Sequence, residues 1–323
     1  MVKISQHNVL SRAGLYLLNL TVLLMLSLPL LTIEVTSWWF DNISSLQLQW
    51  ILLALLLLII NIKRAEKILS TLTLLLLTAC IYQKSPFSVG NDQPAAATLK
   101  IAQLNIHYQN QYIEPLLAKL GNADFEILVL QEVGDDQRHK ITTLKQRYPY
   151  FISDSSLSDL AFFSKWPIVE QKTHYLGYKG GHIIEVIVQS PQTNSPVHIF
   201  ALHPASPRNA NLWQLRNSTL EYVAEQASAS LLQYKMIIGD LNITPWSTQF
   251  KALQKNSLLR NSTNALAYIP SWSYSGRNPL LHLLSSAYID HCLISDSFQV
   301  ISKDNQKIQG SDHQLLVTEL GMR

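Results

Sequence analysis

Two hydrophobic rhythms divide the chain. Residues 13–33, 46–62 and 68–82 are almost continuously apolar. A helix of about 20 apolar residues spans the hydrocarbon core of a bilayer, so three transmembrane helices are expected; the third is short but carries no charge. From Leu99 the rhythm shortens. Residues 99–105, 126–131, 149–153, 159–163, 183–189, 197–203, 235–239, 287–294, 297–302 and 314–320 read as strands. Residues 110–120 (closed by Gly121), 135–147, 209–231 and 246–255 read as helices, the longest with Leu212, Leu215, Leu220, Val223 and Ala227 on one side. Residues 83–97, with Pro86, Gly90 and Pro94, read as a linker. The expected plan is a membrane anchor over 1–82, a linker over 83–97 and a folded domain over 98–323. Helices mixed with mostly hairpin-like strands give an α/β sandwich, two packed sheets flanked by helices.

Charge orients the anchor. Lys3 and Arg12 precede the first span, Glu34 and Asp41 fill the loop after it beside Trp38, Trp39 and Phe40, and Lys63, Arg64 and Lys67 fill the next loop. Positive loops stay cytoplasmic and aromatic residues collect at the interface. The expectation is a multi-pass protein of the plasma (inner) membrane, N-terminus cytoplasmic and large domain extracytoplasmic; if 68–82 does not span, the domain falls in the cytoplasm. A cleaved signal peptide is the competing reading of the first span, but no small-x-small site follows Leu31 and two more apolar segments do. A transporter is excluded by spans without charges or broken helices that mark a substrate path. Cys80 and Cys292 are the two cysteines, too few and too far apart for a disulfide framework.

The candidate chemistry lies at strand ends. Asn105 follows Ile101-Ala102-Gln103-Leu104, Glu132 follows Ile127 through Leu130, and His203 follows Val197 through Leu202. Asp240 and Asn242 follow Ile237-Ile238-Gly239, Asp290 follows Tyr288-Ile289, and Asp312-His313 precede Leu315-Leu316-Val317. A rigid scaffold presenting polar groups along one edge is how sites are built. Glu132 and Asp312 are hard oxygen ligands suited to Mg²⁺ or Mn²⁺, with Asn105 to support the ion or its water. His203 and His313 bond a phosphoryl oxygen or move protons. Asp290 fixes the tautomer of a histidine. Asp240 orients or deprotonates a water, and Asn242 donates to a phosphate or holds the aspartate. These parts around one oxyanion make a phosphoester hydrolase.

In order, Gln103-Leu104-Asn105, Leu130-Gln131-Glu132, Ala201-Leu202-His203, Gly239-Asp240-Leu241-Asn242, Ile289-Asp290-His291 and Ser311-Asp312-His313 resemble the motifs of the endonuclease/exonuclease/phosphatase superfamily, across about residues 98–320. Thr244-Pro245-Trp246-Ser247, Phe163 through Ile168 and Pro270-Ser271-Trp272 resemble its bacterial members with N-terminal membrane helices. The resemblance implies a four-layer, DNase I-like sandwich. It implies Glu132 as principal Mg²⁺ (or Mn²⁺) ligand with Asn105 and Asp312 nearby, Asp240 on the water, Asn242 and His203 on the scissile phosphate, and His313, held by Asp290, as base or charge stabiliser. Gln314-Leu315 replace a proline common after the last motif, and Ser158-Asp159 replace a small Gly/Asn pair. Both departures bear on substrate fit.

Each residue also has a plain structural reading. Asn105, Asp240, Asn242 and Asp312 suit turns, Asn242 as cap of a helix near Pro245. Glu132 suits a solvated helix start and His203 a loop. Arg208 and Arg216 read as solvated helix charges, with a phosphate contact as alternative; Trp246 and Trp272 read as packing residues, and His182 as a structural residue with a substrate contact as alternative. Residues 98–323 hold 19 Lys and Arg against 18 Asp and Glu, net +1. No basic stripe for long duplex DNA is present, only scattered Arg208, Arg216 and Arg260. The expected partners are a phosphoester substrate (nucleic acid, phospholipid head group or small phosphoester, the latter two favoured) and a lipid bilayer, with no protein partner implied. A catalytically silent scaffold on the same fold is the alternative; loss of Glu132, Asp240 or His313 would mark it, and all three are present.

Overall fold

The computed structural model describes residues 12–31, 36–63, 66–82, 95–153, 159–177, 181–263, 270–274 and 284–323. Lys3, Glu34, Arg64, Ser158, Gly180, His282 and most of the linker, 83–94, lie outside them.

Two six-stranded sheets form the large unit. The first runs β13 (Phe298–Lys307), β14 (Gln314–Met322), β1 (Ala97–Asn105), β2 (Ile127–Gln131), β4 (Ala161–Ser164) and β3 (Tyr150–Ile152). The second runs β5 (Ile168–Tyr175), β6 (His182–Gln189), β7 (Pro196–Leu202), β8 (Tyr234–Asp240), β12 (Asp290–Ile294) and β9 (Arg260–Asn261). One pair in each is parallel, β1 with β2 and β7 with β8. These are the pairs joined through α5 (Ile113–Asn122) and α7 (Ala210–Ala229), as parallel neighbours need a crossover. A ribbon of β10 (Trp272–Ser273) and β11 (Ser286–Ala287) flanks them.

Period-two burial builds the layers. From β1, Leu99 and Ile101 join Ile127, Val129, Phe162, Ile184, Ile199 and Met236 in the core between the sheets. The alternate residues Ala102 and Leu104 face the other way, onto Leu116, Leu117 and Leu120 of α5. Behind the second sheet, Phe200 and Ile237 meet Leu220, Val223 and Ala227 of α7 and Phe250 and Leu253 of α8 (Thr248–Ser257). Helix, sheet, sheet, helix is the four-layer order. Asn242 does not cap α8; the Ser247 hydroxyl does, accepting from Gln249 N. Gly121 lies inside α5 rather than closing it.

Before the sandwich come α1 (Arg12–Ser27), a 3-10 turn (Leu28–Leu30), α2 (Trp38–Ser44), α3 (Gln47–Lys63) and α4 (Lys67–Tyr82). The first expected span therefore breaks early, because Pro29 cannot donate to the α-helical ladder. Among the described residues no single helix is long and apolar enough to cross a bilayer; α2 and α3 pass by length and composition together, bent by 57°. Leu15, Val22, Leu26, Ala54, Leu57 and Leu77 hold the helices to one another.

Candidate active site

The C-terminal ends of β1, β2, β7 and β8 meet the starts of β12 and β14 at one edge of the sandwich. Register sets the first contact: Asp290 on β12 pairs directly with Asp240 on β8. Gly239 makes the preceding step possible. Its φ is +149°, and a Cβ there would sit 1.9 Å from the Leu202 carbonyl oxygen, so only glycine lets β8 pass beside the strand end that presents His203. The sheets meet through Asn105, whose Nδ2 donates to Asp240 Oδ2 at 3.2 Å.

Asp240 is the hub. It is buried, with His203 Nε2 3.5 Å and His313 Nε2 3.6 Å from its Oδ2, while its Oδ1 accepts from Asn242 N at 3.0 Å. The second nitrogen of each histidine faces another acid: His313 Nδ1 lies 2.9 Å from Asp290 Oδ2, and His203 Nδ1 lies 2.7 Å from Asp159 Oδ2. Asp290 also accepts from Ser271 Oγ at 2.6 Å, and Asp159 from Tyr108 Oη at 2.6 Å.

These contacts set the charges. Burial disfavours charge on His313, but Asp290 and Asp240 outweigh it and push the group up to about 9. His203 is raised well above its usual value, Asp159 and Asp240 overcoming its burial. Burial would raise Asp240, yet His313 and His203 bring it down to about 2. An ionised carboxylate thus lies between two imidazolium rings. His291 is different: burial drops it to about 3, and its Nε2 contacts the Ile243 carbonyl at 2.8 Å, a neutral packing residue.

Glu132 and Asp312 are half-buried at the same edge. Glu132 has φ +55°, a left-handed backbone rare outside glycine, and strain of this kind persists where surrounding structure enforces it. Its Oε2 accepts from Tyr108 N at 3.3 Å. Asp312 Oδ2 accepts from Trp272 Nε1 at 2.8 Å. Ser311 Oγ, donating to Asn105 O at 2.7 Å, ties the Asp312 loop to β1. Two half-exposed carboxylates beside a carboxamide are the hard-oxygen set that Mg²⁺ or Mn²⁺ takes. Asp240, Asp290 and His313 also place ligand atoms within 4.8 Å of one another. Those atoms already face one another with opposite charge, so the half-exposed set fits an ion better.

Some sequence readings are corrected. Asp159 bonds the ring of His203 and belongs to the site. Trp272 does more than pack, since its indole holds Asp312. Arg216 is 2% exposed and ion-paired to Asp41, not a solvated helix charge. Asp41 is fully buried in α2, not in an open loop. His182, by contrast, keeps its structural reading: it is buried, its ring against Tyr175. The Asp159 signal was available: an acid just ahead of an apolar run, as Asp312 is.

Asp159→Asn tests the His203 pair. A raised histidine stabilises the fold fully below its unfolded value near 6.5 and loses that contribution as pH rises through the folded value. The variant is expected to lose about 1–3 kcal/mol at pH 6 and to decline less than the parent between pH 6 and 9. Thermal denaturation across that range measures both; an identical slope in the two proteins would refute the pairing.

No curated protein matches the sequence. Solved structures share the fold. An endonuclease/exonuclease/phosphatase from Beutenbergia cavernae DSM 12333 is 19% identical, with TM-score 0.56, over 70% of this chain and 72% of that one. A humanized TDP2 of D. rerio is 14% identical, TM-score 0.55, over 70% and 99%. Sphingomyelinase C from Streptomyces griseocarneus is 14% identical, TM-score 0.50, over 70% and 100%. The model of the Endonuclease/Exonuclease/phosphatase family matches residues 102–313, which run from β1 to the histidine beside Asp240 and Asp290, and the chain belongs to that family.

Proposed function

We propose that the chain is a divalent-metal-dependent phosphoester hydrolase, held at a membrane by its N-terminal helices. The observation that carries the chemistry is Asp240, ionised and set 3.5 and 3.6 Å from His203 and His313 beside half-exposed Glu132 and Asp312. At about 2, Asp240 is a weak base and a good hydrogen-bond acceptor, which suits orienting a water for in-line attack on phosphorus. The two imidazolium groups donate to phosphoryl oxygens as negative charge grows there. Asp290 holds the His313 ring and Asp159 that of His203, while the Asn242 side-chain amide, which donates one hydrogen to Pro204 O at 3.0 Å, keeps a second for the phosphate. Mg²⁺ or Mn²⁺, when bound by Glu132 and Asp312 with Asn105 beside them, supplies further positive charge to the phosphoryl group.

The anchor reading rests on how apolar and polar groups are distributed. Leu17, Leu20, Leu56, Ile59, Ile62 and Leu75 face outward, exposed, while Asn19, Asn61 and Thr73 are buried inside the helical unit. Asn61 Nδ2 donates to Asn19 Oδ1 at 2.7 Å across two helices. Polar groups inward and leucine outward is how helices pack in lipid. With the K/R-rich loops, this favours a cytoplasmic N-terminus and an extracytoplasmic site. Such a site lies near lipid head groups, and the near-neutral domain favours a small or lipid phosphoester over duplex DNA.

Turnover of bis-p-nitrophenyl phosphate, p-nitrophenyl phosphate, plasmid DNA and phospholipid vesicles, with Mg²⁺, Mn²⁺ or chelator, tests the reading on the full chain in detergent. The expected result is cation-dependent hydrolysis of the diester and of a vesicle lipid, with DNA slower. Hydrolysis undiminished by chelator would refute the metal role. Protease protection of the domain in sealed, right-side-out vesicles would refute its extracytoplasmic placement.

A further inference from the structure

The N-terminal helical unit does more than lie beside the sandwich. Asp41 of α2 is fully buried in it. Its Oδ2 accepts from Arg216 Nη2 at 2.7 Å and Trp213 Nε1 at 2.9 Å, and its Oδ1 accepts from Ser247 Oγ at 2.8 Å. Arg216 spends its other terminal nitrogen on the site: Nη1 donates to Asn242 O at 3.1 Å. Asn242 has φ +50° and donates its N–H to Asp240 Oδ1. Four residues thus run in hydrogen-bonded series from α2 to the carboxylate at the centre of the site.

The neighbouring contacts show where α2 and the start of α3 sit. Asn42 Nδ2 donates to Pro207 O at 2.7 Å, in the loop after His203. Thr244 Oγ1, in the loop after Asp240, donates to Ser45 O at 3.2 Å. Gln49 Nε2 donates to Ser286 O at 2.9 Å, on the strand ahead of Asp290. Residues 41–49 therefore touch three of the segments that carry site residues. Plain docking would need none of these to be catalytic loops.

We infer that Asp41 is a positioning residue for the hydrolytic site, acting through Arg216 and the Asn242 backbone to hold Asp240. The N-terminal unit is on this account part of the active centre. The guanidinium is what makes the series work: it reaches both the α2 carboxylate and the Asn242 carbonyl, and a planar fork fixes the angle between them. Removing Asp41 leaves Arg216 a buried cation without its counter-charge, free to turn from Asn242. The inference rests on the proposed role of Asp240.

The test uses the full chain in detergent with Mg²⁺ and bis-p-nitrophenyl phosphate, comparing the parent with Asp41→Asn, Arg216→Lys and the Asp41→Asn/Arg216→Lys double variant. Arg216→Lys keeps the charge beside Asp41 and loses the second arm, so it reports positioning even where Asp41→Asn fails to fold. Both single variants are expected to lose about 10- to 100-fold in kcat with KM little changed. The double variant is expected to be no slower than the slower of the two single variants, because both changes break one series. Hydrogen exchange of the amides of residues 241–247 is expected to quicken several-fold in Arg216→Lys, a readout independent of turnover. Parent-like kcat in folded Arg216→Lys, full multiplication of the two effects in the double variant, or unchanged exchange at 241–247 would each overturn the inference. A parent that is inactive while exchange responds as expected would instead count against the hydrolase reading.

Discussion

Asp240→Asn is expected to cut kcat by about 10³–10⁴-fold with divalent-metal affinity close to that of the parent. The side chain keeps its shape and loses its charge. Three contacts of Asp240 depend on that charge: the two histidines and the Asn105 amide. The water loses its acceptor, and both rings lose one of the acids that keep them protonated. His313 retains Asp290 and His203 retains Asp159, so the fold is expected to survive. Steady-state kinetics with calorimetric metal binding separates the two effects. Loss of metal binding in step with activity would make Asp240 a ligand instead.

Glu132→Ala is the second large effect, and of the opposite kind. Outer partners of metal ligands already contribute 10–100-fold in affinity, so removing a direct carboxylate ligand is expected to weaken Mg²⁺ binding by at least about 100-fold. Activity at a low cation concentration falls with it and partly returns as the concentration is raised, whereas Asp240→Asn is not rescued. The positive φ of Glu132 adds a second expectation: alanine is no more at ease there, so little stability is regained. Titrating each variant with Mn²⁺ and following hydrolysis compares them; equal rescue of both would remove the distinction between ligand and water-orienting residue.

The sandwich was legible because its inner strands alternate or run apolar over lengths typical of strands, as β1, β7 and β8 do. The edge strand β5 was not. Its sequence Ile168-Val169-Glu170-Gln171-Lys172-Thr173-His174-Tyr175 is mostly polar and exposed, as edge strands are kept to avoid pairing with other chains. The second half of β13 was missed for the same reason: it too is an edge, and Lys303 through Lys307 carry no apolar pattern.

At the site, the residues the sequence singled out at strand ends lie along one edge, since polar groups after apolar runs have few other places to go. Residues that act through tertiary contacts left no such mark. Asp159 sits 44 positions from His203, and Trp272 sits 40 from Asp312. The Asp41–Arg216 pair spans 175 positions and joins a segment read as a loop to one read as a solvated helix face. No periodicity encodes a buried ion pair at that distance. It bears on any attempt to study residues 98–323 alone, which would leave Arg216 buried and unpaired.

The most direct test of the account is hydrolysis of bis-p-nitrophenyl phosphate by the purified full chain with Mg²⁺, beside Asp240→Asn and with metal binding followed by calorimetry. The account predicts turnover in the parent that chelator abolishes, and a variant that binds the cation yet fails to turn over. A parent that binds neither Mg²⁺ nor Mn²⁺, or an Asp240→Asn chain that matches the parent rate, would contradict it.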